Sequence, residues 1–230
     1  MNTFTVPVPA AEAVASPAVA GADEGAEGVA QAARKRPKPG ERRVQILQAL
    51  AAMLEQPGAE RITTAALASR LDVSEAALYR HFASKAQMFE GLIEFIEQSV
   101  FGLVNQLVDR EPDAVLRSRK LVTLLLQFGE KNPGMTRVMV GDALVFENER
   151  LQQRMNLFFD KFEAALRQAL REAAVLSPTE TPGADAQADA SLITAFCVGR
   201  LQRYARSGFR RLPTEHLEHS LSLLTSRAIA

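Results

Sequence analysis

From Thr63 to Lys85 the chain reads TTAALASRLDVSEAALYRHFASK, in which alanines separate hydroxyls, a phenol, an imidazole, two isolated carboxylates and a few cations. Catalysis needs acids, bases or metal ligands that converge on one point, and this stretch offers no such group. Small side chains with polar tips instead suit close approach to a large, smooth polymer, and the chemistry available is donation to phosphate oxygens and base edges. Ala76 and Ala77 let a backbone come near base edges in a major groove, and the residues around them, Ser74, Glu75, Tyr79, Arg80 and His81, share the same short segment. With Thr63 and Lys85 they form the candidate contact set for double-stranded DNA. Tyr79 has a second reading as a core aromatic beside Leu78 and Phe82, and Arg80 as a solvated charge.

Other reactive residues do not assemble into a site. His216 and His219 stand three apart beside Glu215 and Glu218, a spacing that suits a metal on a helix, but no third ligand cluster accompanies them. Cys197 lies among apolar residues with no histidine pattern around it, which reads as a buried thiol. Neither a glycine-rich phosphate loop nor an acid-base pair is present, so no enzyme activity, metal or cofactor is assigned.

The contact set needs helices to hold it. Ile46, Leu47, Leu50, Met53 and Leu54 follow the spacing of one helix face, closed by Pro57-Gly58. Thr63 caps a second, short helix carrying Leu67, Ala68 and Leu71; Asp72-Val73 turns the chain, and Ser74 caps a third. Two short helices joined by a tight turn form a helix-turn-helix, whose second helix enters the major groove. Ser84 and Gln87 make a capping box for the next helix. Lys85 then falls in a first turn, where a cation opposes the helix dipole by about a few tenths of a kcal/mol, which suggests a phosphate partner.

Further along, Met88, Phe89, Leu92, Ile96, Val100, Leu103 and Leu107 mark a long helix, and Pro112 starts another reaching Gly129. A short helix after Pro133, a long one from about Asp142 to Val175, and two more from Ser191 and Pro213 complete an all-α chain; SPTETPGADAQADA, Ser177 to Ala190, reads as a loop. Leu192, Phe196, Cys197 and Leu201, then Leu217, Leu221 and Leu224, offer faces for a two-fold four-helix interface, with packing inside one subunit as the competing use.

The chain has 230 residues, 27 basic and 27 acidic, so its formal net charge is zero. The distribution is uneven. Residues 1–33 carry a net −4, residues 34–85 a net +5 from ten basic and five acidic side chains, and the remainder −1. The excess of cations thus coincides with the proposed DNA-reading segment, as a phosphate footprint requires. Residues 1–40, rich in Ala, Pro and Gly and ending in Arg34, Lys35, Arg36 and Lys38, read as a disordered tail that either solubilises or lies along DNA. Residues 41–87 form the DNA-binding domain and 88–230 a helical regulatory and dimerisation domain. A single cysteine fits a reducing cytosol, the proline-interrupted N-terminus does not read as a secretory signal, and no apolar run approaches the roughly 20 residues that span a bilayer.

The order Thr63, Leu67-Ala68, Val73-Ser74, Leu78-Tyr79, His81-Phe82, Ser84-Lys85 resembles the DNA-binding domain of TetR-type regulators. Asp72 departs from the glycine common in that turn, but Asp tolerates the left-handed conformation. The stretches RITTAALASRLDVSEAALYRHFASKAQMFEGLIEFIEQS, FGEKNPG from Phe128 and ALVFENERLQQR from Ala143 narrow the resemblance to the nucleoid-occlusion branch of that family, over about residues 41–230. The resemblance implies a homodimer that binds chromosomal palindromes and, when bound, antagonises the tubulin-like division protein FtsZ through its C-terminal tail. It places that tail near Phe95, Lys131 and Asn132, and implies a cytoplasmic, nucleoid-associated protein. The family's commoner role, a ligand-responsive transcriptional repressor, is the alternative.

Overall fold

The computed structural model describes residues 40–56, 62–174 and 181–225. The tail over residues 1–39, with its basic run, and the Pro57-Gly58 stop lie outside the described residues.

The first helix, α1, spans Glu41–Leu54 and buries Ile46, Leu50, Ala51 and Leu54 along one face. α2 (Thr64–Arg70) and α3 (Glu75–Tyr79) follow, each opened by the expected cap: Thr63 Oγ1 accepts from Ala66 N at 3.1 Å, and Ser74 Oγ from Ala77 N at 3.3 Å. Between them Asp72 adopts φ 53°, the left-handed turn that the sequence anticipates. α4 runs without interruption from Lys85 to Arg110 and α5 from Ala114 to Lys131. Ser84 caps α4, but Gln87 reaches back to Ala83 N rather than to Ser84 N, so the capping box closes one residue early.

After Pro133–Met139, α6, the chain departs from expectation. The single helix expected from Asp142 is broken: Gly141 (φ 83°) leads into a 3-10 turn, Asp142–Leu144, and α7 starts only at Glu149, where Asn148 Oδ1 accepts from Arg150 N. The loop expected to reach Ala190 is also corrected. α8 begins at Pro182 and continues to Arg206; proline at the first turn gives up no hydrogen bond, and the alanines that follow favour helix, with Ala186 and Ala190 buried. α9 is short, Leu217–Leu224, and the residues after Pro213 form turns rather than helix.

The described residues contain helices and turns only, an all-α architecture. One apolar core extends from Ile46 in α1 to Leu221 in α9, and α4 belongs to both the reading end and the helical body. Cys197, Leu201, Leu217 and Leu221, expected at a subunit interface, are buried within the subunit; Leu192 and Leu223 remain exposed. Burial pushes the Cys197 thiol up to about 12, which leaves it inert as a nucleophile.

Candidate nucleic-acid interface

The helix-turn-helix is fastened at both edges. Thr64 Oγ1 donates to Glu75 Oε2 at 2.6 Å, tying the start of α2 to the start of α3, so the Glu75 carboxylate positions the second helix from the first. On the other side Arg43 of α1 lies 4.1 Å over the Phe82 ring and donates to His81 O at 3.0 Å, holding the turn after α3. Leu67, Ala68, Leu78 and Phe82 fill the space beneath.

What remains outside is the expected contact set. Thr63, Ser74, Glu75, Ala76, Tyr79, Arg80 and His81 are exposed and Ala77 is half-buried. Tyr79 is 45 % exposed, against its reading as a core aromatic. Thr63 uses a lone pair on Ala66 N, which leaves its O–H as a donor. Lys85 stands apart. Its ammonium pairs with Glu147 and lies 5.7 Å from the centre of the Phe89 ring, so the cation opposing the α4 dipole is compensated by a carboxylate from the segment before α7. Sequence reasoning missed Arg43, Thr64 and Glu147; the first has its partner 38 residues away and the last 62, and no local signal joins either pair.

Residues 46–92 match the family described as bacterial regulatory proteins, tetR family, and residues 112–228 the SlmA-like family described as tetracyclin repressor-like, C-terminal domain. The nucleoid occlusion factor SlmA of Photobacterium profundum is 50 % identical over 187 residues, covering 81 % of this chain and 95 % of that protein. SlmA of Vibrio cholerae serotype O1 has the same identity and coverage. The chain belongs to the SlmA family of TetR-type regulators.

Solved structures agree on the fold. The regulator FadR from Bacillus subtilis in complex with stearoyl-CoA covers 80 % of this chain and 97 % of its own at 15 % identity with a TM-score of 0.64. A TetR-family regulator from Bordetella parapertussis covers 80 % and 94 % at 18 % identity with a TM-score of 0.61. At these identities the likeness concerns the all-α TetR-like architecture alone.

In this SlmA-type chain the three residues implied as a partner site lie on two packed helices. Phe95, on α4, is 45 % exposed although the neighbouring Ile96 is fully buried. Lys131 is the exposed last residue of α5, and Asn132 turns its amide inward to donate to Phe128 O at 2.8 Å, closing the helix end. Among the described residues no helix is long and apolar enough to cross a membrane, and no group of three His, Cys, Asp or Glu gathers as a metal site.

Proposed function

We propose that this protein is a nucleoid occlusion factor: a homodimer that binds palindromic double-stranded DNA through the helix-turn-helix of residues 41–87 and, from that platform, restrains assembly of FtsZ through residues 88–230. The observation that carries this reading is about 50 % identity to curated SlmA proteins across both halves of the chain. A shared helix-turn-helix alone would point only to the wider family.

Within this reading the α3 backbone at Ser74–Ala77 enters the groove, the Thr63 and Tyr79 hydroxyls, Arg80 and His81 donate to phosphates, and Glu75 positions α3 through Thr64. Lys85 reaches phosphate only by leaving Glu147. Exposed Leu192 and Leu223 with half-buried Phe196 supply the apolar two-fold contact of the dimer. Phe95 offers an apolar anchor for the FtsZ C-terminal tail, and Lys131 a cation beside it. The protein works in the cytoplasm on the nucleoid, and residues 1–40 form its tail.

The test is FtsZ assembly, followed by light scattering with and without operator DNA. The wild type is expected to inhibit when DNA-bound. Lys131→Glu should keep operator affinity within about a few-fold, since Lys131 lies on α5 outside the reading helices, yet lose the inhibition. Full inhibition by the variant removes Lys131 from the mechanism; no effect of the wild type under either condition replaces the adaptor reading with a repressor.

A further inference from the structure

Between Arg200 and Arg211 the chain reads RLQRYARSGFRR, five arginines and no acid. Arg200 is engaged within the fold, its Nε donating to Pro213 O at 2.9 Å and a terminal nitrogen to Glu215 O. Arg203, Arg206, Arg210 and Arg211 are exposed, and among the described residues no carboxylate pairs with any of them. Arg203 and Arg206 complement the C-terminal dipole of α8, whereas Arg210 and Arg211 lie beyond it, so the mutual repulsion of four like charges within nine residues is only partly offset by the fold.

The turn that presents them is built. Ser207 Oγ donates to Tyr204 O at 2.9 Å and accepts from Arg210 N at 3.0 Å and Arg211 N at 2.9 Å. Arg210 Nε donates to Ser207 O at 2.8 Å, which anchors the guanidinium of an otherwise exposed residue. Phe209 is held at φ 64°, a conformation that disfavours a non-glycine residue and persists only where surroundings impose it. The surroundings are the Tyr204 ring, 5.2 Å from Phe209, and the Arg137 guanidinium, 5.1 Å over it. A fixed fork of this kind matches a phosphate bidentately and loses little freedom on binding.

Its place in the fold identifies the anion. Tyr204 Oη donates to Glu130 O at 3.0 Å, in the last turn of α5. Arg137 belongs to α6, whose Gly134 approaches Ala51 O of α1 so closely that a Cβ there would lie 2.0 Å from it. α4 leaves the reading end and α5 returns, so the arginine turn stands at the end of the helical body that packs, through α6, against α1. The opposite end is marked by the Arg117–Glu172 pair between the start of α5 and the end of α7.

We propose that the turn of Arg203, Arg206, Arg210 and Arg211 is a second DNA-contacting surface, one that takes phosphates of the duplex running past the operator. The proposal rests on the DNA-binding reading above. Binding is measured for a bare operator and for the same operator with about 20 base pairs added to each side, from 50 to 200 mM salt. If the dimer places one or two arginines per subunit on phosphate, the flanked duplex binds tighter and its log-log salt slope is steeper by about two to four. Arg210→Gln with Arg211→Gln should abolish that flank-dependent gain and keep bare-operator affinity within about two-fold. Arg167→Gln with Arg171→Gln, an equal loss of charge near the far end of α7, should retain the gain.

A gain that survives in the turn variant, or that both variants lose equally, overturns the proposal. So does a wild type indifferent to flanks whose turn variant instead loses binding to poly-glutamate, which would assign the surface to an acidic protein segment. Failure of the wild type to bind even the bare operator defeats the DNA-binding reading itself, and this surface with it.

Discussion

The Thr63 oxygen caps α2 through Ala66 N, and in the proposed DNA complex the same hydroxyl donates its hydrogen to a phosphate. The tasks separate by substitution. Thr63→Ala removes both and should cost about 1 kcal/mol of stability. Thr63→Asp keeps a good cap without the donor and sets a negative charge against the backbone of DNA. Its thermal midpoint should stay near wild type while operator affinity falls more than about ten-fold. An unchanged affinity for Thr63→Asp removes Thr63 from the interface. At this scale the sequence was legible wherever the physics is local. Caps at Thr63, Ser74 and Ser84 and the left-handed turn at Asp72 involve partners within a few residues. The position of Lys85 against the helix dipole signals an anionic partner, and the one in the fold, Glu147, stands 62 residues on with no local signal joining the two.

Helices were legible through apolar periodicity, and misread where composition overrode it. Pro, Gly, Thr and Asp between 177 and 190 signal a loop, yet Pro182 opens α8 and Ala186 and Ala190 continue its buried face. Conversely, the periodicity before α7 hid a break that Gly141 and the Asn148 cap impose. The junction between α1 and α6 is a packing feature that glycine alone permits. Gly134→Ala must push backbone away from Ala51 O, an overpacking cost of about 1–3 kcal/mol, or about 2–4 °C of thermal midpoint for each kcal/mol. Gly102, exposed within α4 with nothing within 4 Å of an added Cβ, provides the contrast: Gly102→Ala should stabilise by about 0.5–1 kcal/mol. Equal melting profiles for the two variants would show that the α1–α6 approach is not tight in solution.

For the whole molecule, the sequence disclosed its family through stretches in both halves but left two uses open for its last apolar faces, a subunit interface or packing inside one subunit. Helix periodicity says that a face is apolar and not which neighbour covers it. Cys197, Leu201, Leu217 and Leu221 are covered by the subunit itself, leaving Leu192 and Leu223 on the outside. Leu192→Glu should therefore spare the fold and shift the protein to monomer in analytical ultracentrifugation. Operator affinity should drop at least about 100-fold once the two half-site contacts are no longer joined. A variant that stays dimeric would place the interface elsewhere.

The unbroken length of α4 has a mechanical consequence. Its 26 residues extend about 39 Å, from the edge of the reading helices at Lys85 to Arg110 at the far end of the body. Buried Met88, Phe89, Leu92, Ile93, Ile96, Val100 and Val104 brace it along most of that length as a stiff rod. A rotation of about 5° at Lys85 sweeps Arg110 through about 3 Å and Phe95, about 15 Å along, through about 1 Å. An angle set at one end of this rod would thus reach its side as a graded displacement.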